Sequence, residues 1–228
     1  MNNLSQHSRL KRGFEAFLPL LLILVLSYLF RLQFGSWLTA DWHVMLYSRF
    51  VFWLIVLLLF VYADKVNHEP VLLWQEQSYP VSFYFSSVII MYLLVILSGI
   101  ISSIPILLGV HDNNTIVIKM IRIMNQSLPV AVFGAITAGI TEEFIIRGFM
   151  LPRMEFAFNS KVAAVLISSL LFSLLHYQYH SIREIIGTFL IGVIFAVHYQ
   201  KYKNIKIVMI AHFMVDMIAF MIGRAHIR

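Results

Sequence analysis

Seven apolar stretches dominate the sequence, near residues 14–33, 44–63, 82–109, 117–151, 161–177, 184–200 and 205–223. About 20 such residues, wound as a helix, cover the hydrocarbon core of a bilayer. No water is available there to pair peptide groups, so an isolated segment must satisfy its own backbone as a helix. The chain therefore reads as an all-α, polytopic membrane helix bundle of about seven spans (six to eight), a single integral membrane domain over residues 1–228. The fourth stretch is too long for one plain crossing. Pro129, Gly134 and Gly139 predict a bend or a split into two helices, and Pro152 is read as its close. "HEP" before residue 71 and "HDNN" at 111–114 supply breakers between spans. No internal repeat, low-complexity tract or soluble domain is visible.

Composition points the same way. The chain is 60% hydrophobic and 12% charged, whereas a soluble domain has about a quarter of its residues charged. It contains no cysteine, which excludes a disulfide framework and a cysteine nucleophile. The formal net charge of +6 does not imply a nucleic-acid partner, because the basic residues lie between the apolar runs and at the termini. The first run follows basic residues, as in a signal peptide, but no small-residue cleavage site follows it. It is read as a retained span. Arg9, Lys11, Arg12, Lys65, Arg153, Lys161, Lys201, Lys203 and Lys206 fall on the side of the N-terminus. Arg31, Lys119, Arg122, Arg183, Arg224 and Arg228 fall opposite. The excess predicts a cytoplasmic N-terminus in a multi-pass protein of the cell membrane. The Ile, Lys and Asn usage has a bacterial flavour.

Ionisable residues inside such spans are costly and mark pathways, relays or active sites. Three places qualify: Glu142, Glu143 and Arg147 in "TEEFIIRGF"; His176 in "LLFSLLHY"; and His212 with Asp216 in "AHFMVD". Glu143 and Arg147 are four residues apart and can pair on one helical face. Glu142 is rotated by about 100° from that face and is left for another task. His212 and Asp216 are also four apart and project together, and Phe172 lies one turn from His176. By contrast, His198 reads as a hydrogen-bonded packing residue, and His111 and His180 as wet residues near span ends. Glu142 and His176 can hold and deprotonate a water molecule. His212 and Asp216 can orient or stabilise charge developing on a scissile carbonyl. Alternatively, His176, His212 and a carboxylate match a zinc ligand set with an open position for water. Both arrangements describe a hydrolase, and residue types alone do not choose between them.

"EEFIIR" fits E-E-x-x-x-R, "FSLLH" fits F-x-x-x-H and "HFMVD" fits H-x-x-x-N/D, in that order and on separate apolar runs. Together they resemble the CPBP family of intramembrane proteases, which includes the CAAX prenyl endopeptidases and bacterial Abi-type proteins of bacteriocin processing or self-immunity. The resemblance covers residues 127–223 as a catalytic core. It implies an all-helical fold with a conical, motif-lined intramembrane cavity. In it Glu142 and His176 would activate water and His212 and Asp216 would support the oxyanion, with Glu143, Arg147 and Phe172 in supporting places. A metal-free, glutamate-type site with no cofactor is favoured. The zinc alternative would use His176, His212 and Asp216. One departure matters: the CAAX enzymes carry Asn where this chain has Asp216. A carboxylate there must either stay protonated or act by fixing the tautomer of His212. The expected substrate is a peptide precursor or a membrane protein, without prenyl dependence. The rival readings are a proton-coupled transporter and a non-catalytic immunity or scaffold protein. The transporter reading lacks the paired, inverted halves common in that class. The oligomeric state has no sequence signal.

Overall fold

Three serines start three of the helices that build the site. The hydroxyls of Ser127, Ser160 and Ser181 accept hydrogen bonds from the N–H groups of Val130, Ala163 and Glu184 at 3.4, 3.2 and 3.1 Å. Such caps replace the water that cannot reach a helix end in lipid. The computed structural model of the chain describes residues 3–34, 41–125 and 127–227. Among them it contains no strand and nine α-helices: α1 (Asn3–Phe34), α2 (Asp41–Val61), α3 (Val81–Leu107), α4 (Thr115–Met124), α5 (Leu128–Glu143), α6 (Leu151–Phe158), α7 (Lys161–Leu175), α8 (Ile182–Tyr202) and α9 (Ile205–Ile227). Seven helical stretches among the described residues are long and apolar enough to cross a membrane. The protein is an all-α, polytopic helix bundle.

The long fourth stretch does split, but ahead of Pro129: α4 ends at Met124 and α5 begins at Leu128. That proline occupies the first turn of α5, where no intrahelical N–H is required. Gly134 and Gly139 lie inside the continuous helix α5 rather than at a bend. Nor does Pro152 close the span. The helix passes from α5 through a wider π-helical turn at Phe144–Met150 into α6, and Pro152 sits in the first turn of α6. A proline ring removes one donor and crowds the preceding turn, and a widened turn accommodates this without ending the helix. Arg153 supports the junction, its Nη1 donating to the carbonyls of Phe149 and Val71 at 3.0 and 3.1 Å. The resulting span is the most enclosed of the seven. Its apolar window is 61% buried, against 17–33% for the others, so it is the central post around which the rest pack.

Helix α9 crosses α5 closely, and a glycine sets the distance. A Cβ on Gly139 would lie 2.9 Å from the Met209 carbonyl oxygen and 3.1 Å from the Phe213 nitrogen. Small residues permit this kind of backbone approach in membranes, where packing drives helix association. A second close crossing joins α7 and α8, with Gly192 against Ser169. Asp112, in the connection before α4, accepts from Ser181 Oγ at 3.1 Å and from the Ile182 N–H at 2.8 Å. This ties α4 to the start of α8. Asn125 Nδ2 donates to the Phe220 carbonyl at 2.9 Å and holds the other end of α4 to α9.

His111 and His180 are exposed, as expected. His198 departs from the expectation of a hydrogen-bonded residue: among the described residues neither ring nitrogen has a partner. Its ring packs 4.7 Å from that of Tyr202. The tight crossing at Gly139 gives a direct test by thermal unfolding in detergent. Gly139→Ala should cost about 1–3 kcal/mol through overpacking. Gly99→Ala, where an added Cβ meets nothing within 4 Å, should be neutral or slightly stabilising. Equal melting temperatures for the two variants would contradict the close crossing.

Candidate active site

Glu143 ends α5, one turn beyond the close contact at Gly139, and its side chain is fully buried. Arg147 is its i+4 neighbour across the π-helical turn, and Arg147 Nη1 donates to Glu143 Oε1 at 2.8 Å. The crossing of α9 brings His212 to the same oxygen, with Nδ1 at 2.7 Å. One carboxylate oxygen thus holds a residue of its own span and a residue 69 positions away. Arg147 Nη2 also donates to the Gly192 carbonyl at 3.3 Å, reaching α8 at its close crossing with α7. The guanidinium carbon lies 4.5 Å from the centre of the Phe172 ring, a cation–π arrangement that a dry site strengthens.

Phe172 packs against the other site residues as well. Its ring centroid is 4.8 Å from that of His176 and 6.3 Å from that of His212. The Phe172 carbonyl lies 2.9 Å from His176 Nδ1. That carbonyl can only accept, so Nδ1 carries the proton in the bond and Nε2 remains for other partners. Asp216 Oδ1 lies 3.8 Å from His212 Nε2, within ion-pair range but beyond a hydrogen bond. The bond that orients His212 therefore comes from Glu143, not from Asp216.

Glu142 is turned away from this cluster, as its rotation on the helix requires. It lines two adjoining cavities of about 340 and 320 Å³. Both are also lined by His176, Phe172, Tyr179, Met120 and Arg49. The first extends towards α2 and the N-terminal half of α4. The second extends towards α9 and takes in His212 and Asp216. The structure thus brings Glu142, His176, His212 and Asp216 to one connected space. Glu143 and Arg147 lie buried behind it.

Arg49 on α2 was not singled out in the sequence. Its Nη1 donates to Glu142 Oε1 at 3.4 Å, so Glu142 does have a cationic neighbour. The signal was present: an arginine inside the apolar run 44–63 is costly and calls for a partner. Nothing in the sequence says that this partner lies 93 residues on. Tyr179 and Glu184 are further cavity residues that no motif marked. Among the described residues no three His, Asp or Glu side chains converge to hold a metal ion, and His212 Nδ1 is already bonded to Glu143.

No curated protein and no solved structure matches the chain. Residues 124–218 match the family described as type II CAAX prenyl endopeptidase Rce1-like. This interval runs from the end of α4 into α9 and contains all three motif sites, while α1–α3, and Arg49 with them, lie outside it. The chain is thus similar over residues 124–218 to the Rce1-like type II CAAX prenyl endopeptidases, and that stretch is set in a bundle with seven helices long and apolar enough to cross a membrane among the described residues.

Proposed function

We propose that this protein is a metal-free intramembrane endopeptidase in which Glu142 and His176 activate a water molecule against a peptide bond. The observation that carries the reading is the division of labour between adjacent glutamates. Glu143 is sealed behind the site and bonded to Arg147 and His212, whereas Glu142 faces a cavity shared with His176. In the reaction, His176 Nε2 and Glu142 hold the water, and Glu142 takes its proton as oxygen attacks the carbonyl carbon. In its doubly protonated form His212 donates Nδ1–H to Glu143 and offers Nε2–H to the oxyanion. Collapse breaks the C–N bond, and the proton on Glu142 passes to the leaving amine. Asp216, too far from Nε2 for a hydrogen bond, acts as a neutral neighbour of the oxyanion rather than as its partner.

The substrate is a peptide precursor or a membrane protein that enters the cavity from the bilayer, in a setting such as bacteriocin processing or self-immunity. The charge distribution along the chain supports a cytoplasmic N-terminus, and its Ile, Lys and Asn usage supports a bacterial source.

Hydrolysis of a panel of quenched peptides by the purified protein tests this reading. Glu142→Gln should reduce the rate by about 10²–10⁴-fold while leaving the protein folded and inserted. Glu143→Gln should behave differently, lowering stability by about 3–5 kcal/mol because Arg147 loses its buried counter-charge. Full activity in Glu142→Gln, or no hydrolysis of any peptide by the wild type, contradicts the assignment.

Metal dependence is checked separately, with a strong chelator and elemental analysis of the purified protein. Hydrolysis should persist and zinc should be substoichiometric. Activity lost to chelator and restored by zinc but not magnesium would return His176, His212 and Asp216 to the role of ligands.

Asp216→Asn separates the same two mechanisms in one variant. With a protonated Asp216 the amide is a near-isostere, so activity should stay within about tenfold of wild type and any decline at high pH should flatten. A joint loss of activity and metal would mean that the carboxylate is a ligand.

A further inference from the structure

Arg49 makes poor use of its guanidinium in its contact with Glu142. An arginine–carboxylate pair is strongest as a two-pronged contact with donor–acceptor distances of about 2.7–2.9 Å. Here a single nitrogen, Nη1, reaches a single oxygen at 3.4 Å. The only other hydrogen bond of the guanidinium among the described residues runs from Nε to Ser48 Oγ at 3.3 Å. The group is nevertheless buried from the protein exterior, its carbon sits 5.8 Å from the Phe52 ring centre, and it lines the cavity that Glu142 faces. A second carboxylate entering the cavity would find an under-bonded fork.

The two cavities carry different ionisable groups. Besides Glu142 and His176, the first is lined by Arg49 and Lys119. The second shares Arg49 but adds His212, Glu184 and Asp216. The first therefore offers an anionic group two cations against the one carboxylate of Glu142. The remaining wall of the first is apolar, with Phe52, Ile116, Met120, Ile146 and Leu175. That lining suits an apolar peptide segment carrying one negative charge.

We propose that Arg49 is the receptor for a substrate carboxylate, and that this carboxylate draws the guanidinium off Glu142 and frees it to act as the base. The inference rests on the hydrolase reading above and goes beyond it, because it names what the substrate must carry and how its arrival switches the site on. The carboxylate can be a chain end or an acidic side chain, since Arg49 recognises the same two oxygens in either. Specificity would then reside on α2, outside the matched domain at residues 124–218.

Three quenched peptides with one apolar sequence test this on the full-length protein in detergent. One ends in a free acid, one in an amide, and one in an amide with a glutamate beside the chain end. For the wild type, kcat/KM for at least one carboxylate-bearing peptide should exceed that of the plain amide by about tenfold or more, as expected for charge-assisted hydrogen bonds. Which of the two gains identifies the source. In Arg49→Gln this ratio should collapse to near one, and Arg49→Lys, which keeps the charge but not the fork, should retain part of it. The lysine variant also answers the question should the glutamine variant fail to fold. Binding of the same peptides to Glu142→Gln, whose turnover is slow enough for binding to be read, should show the same preference. Equal wild-type rates for all three peptides, or a ratio that survives in Arg49→Gln, would overturn the role of Arg49 while leaving the hydrolase reading intact. Hydrolysis of none of the three by the wild type would overturn both.

Discussion

A single oxygen, Glu143 Oε1, organises the interior of this protein. It accepts from Arg147 on its own span and from His212 on α9, and through Arg147 it reaches the carbonyl of Gly192 on α8. A lone ion buried in this environment carries a large desolvation penalty, which its partners must offset. Each group is therefore tolerated only because the others are present, and three helices are held in one register by that dependence. Mutual need of this kind specifies geometry more than it adds stability. Here the geometry specified is the orientation of the His212 ring.

The hub works because backbones can come close enough. Gly139 lets α9 approach α5 one turn before Glu143, and Gly192 does the same for α7 and α8. With a larger residue at Gly139, the 2.7 Å contact between Glu143 and His212 would have to lengthen. The π-helical turn at Phe144–Met150 adds a further adjustment, since a wider turn re-aims the residues on either side of it. Glu142 and Glu143 stand just before that turn and point in different directions: one lines the cavities and the other lies sealed behind them. Widened turns inside helices recur at functional sites, and here the turn also lets the span run on past Pro152.

Much of this was legible in the sequence. Apolar runs of span length announce a helix bundle without ambiguity, because lipid leaves the backbone few alternatives. Glu142, His176, His212 and Asp216 stood out because ionisable groups in such runs are expensive, and the structure brings all four to one connected space. The i, i+4 pairing of Glu143 with Arg147 followed from helical geometry alone. What the sequence did not disclose depends on contacts between distant segments. Glu143 and His212 are 69 residues apart, and Arg49 and Glu142 are 93 apart. No local period records such pairs. Pro152 was misread for a related reason: a proline in isolation reads as a stop, and only the surrounding structure reveals the widened turn and the Arg153 hydrogen bonds that carry the helix through.

The orientation of His212 is the point on which the mechanism turns, and it can be observed without a substrate. Nitrogen-15 NMR of the protein with labelled histidine, with His212 assigned by comparison with His212→Gln, reports which ring nitrogen is protonated and bonded. The account predicts a protonated Nδ1 in a strong hydrogen bond, lost in Glu143→Gln. A His212 whose Nδ1 is unprotonated, or whose signals are the same with and without the Glu143 carboxylate, would contradict it.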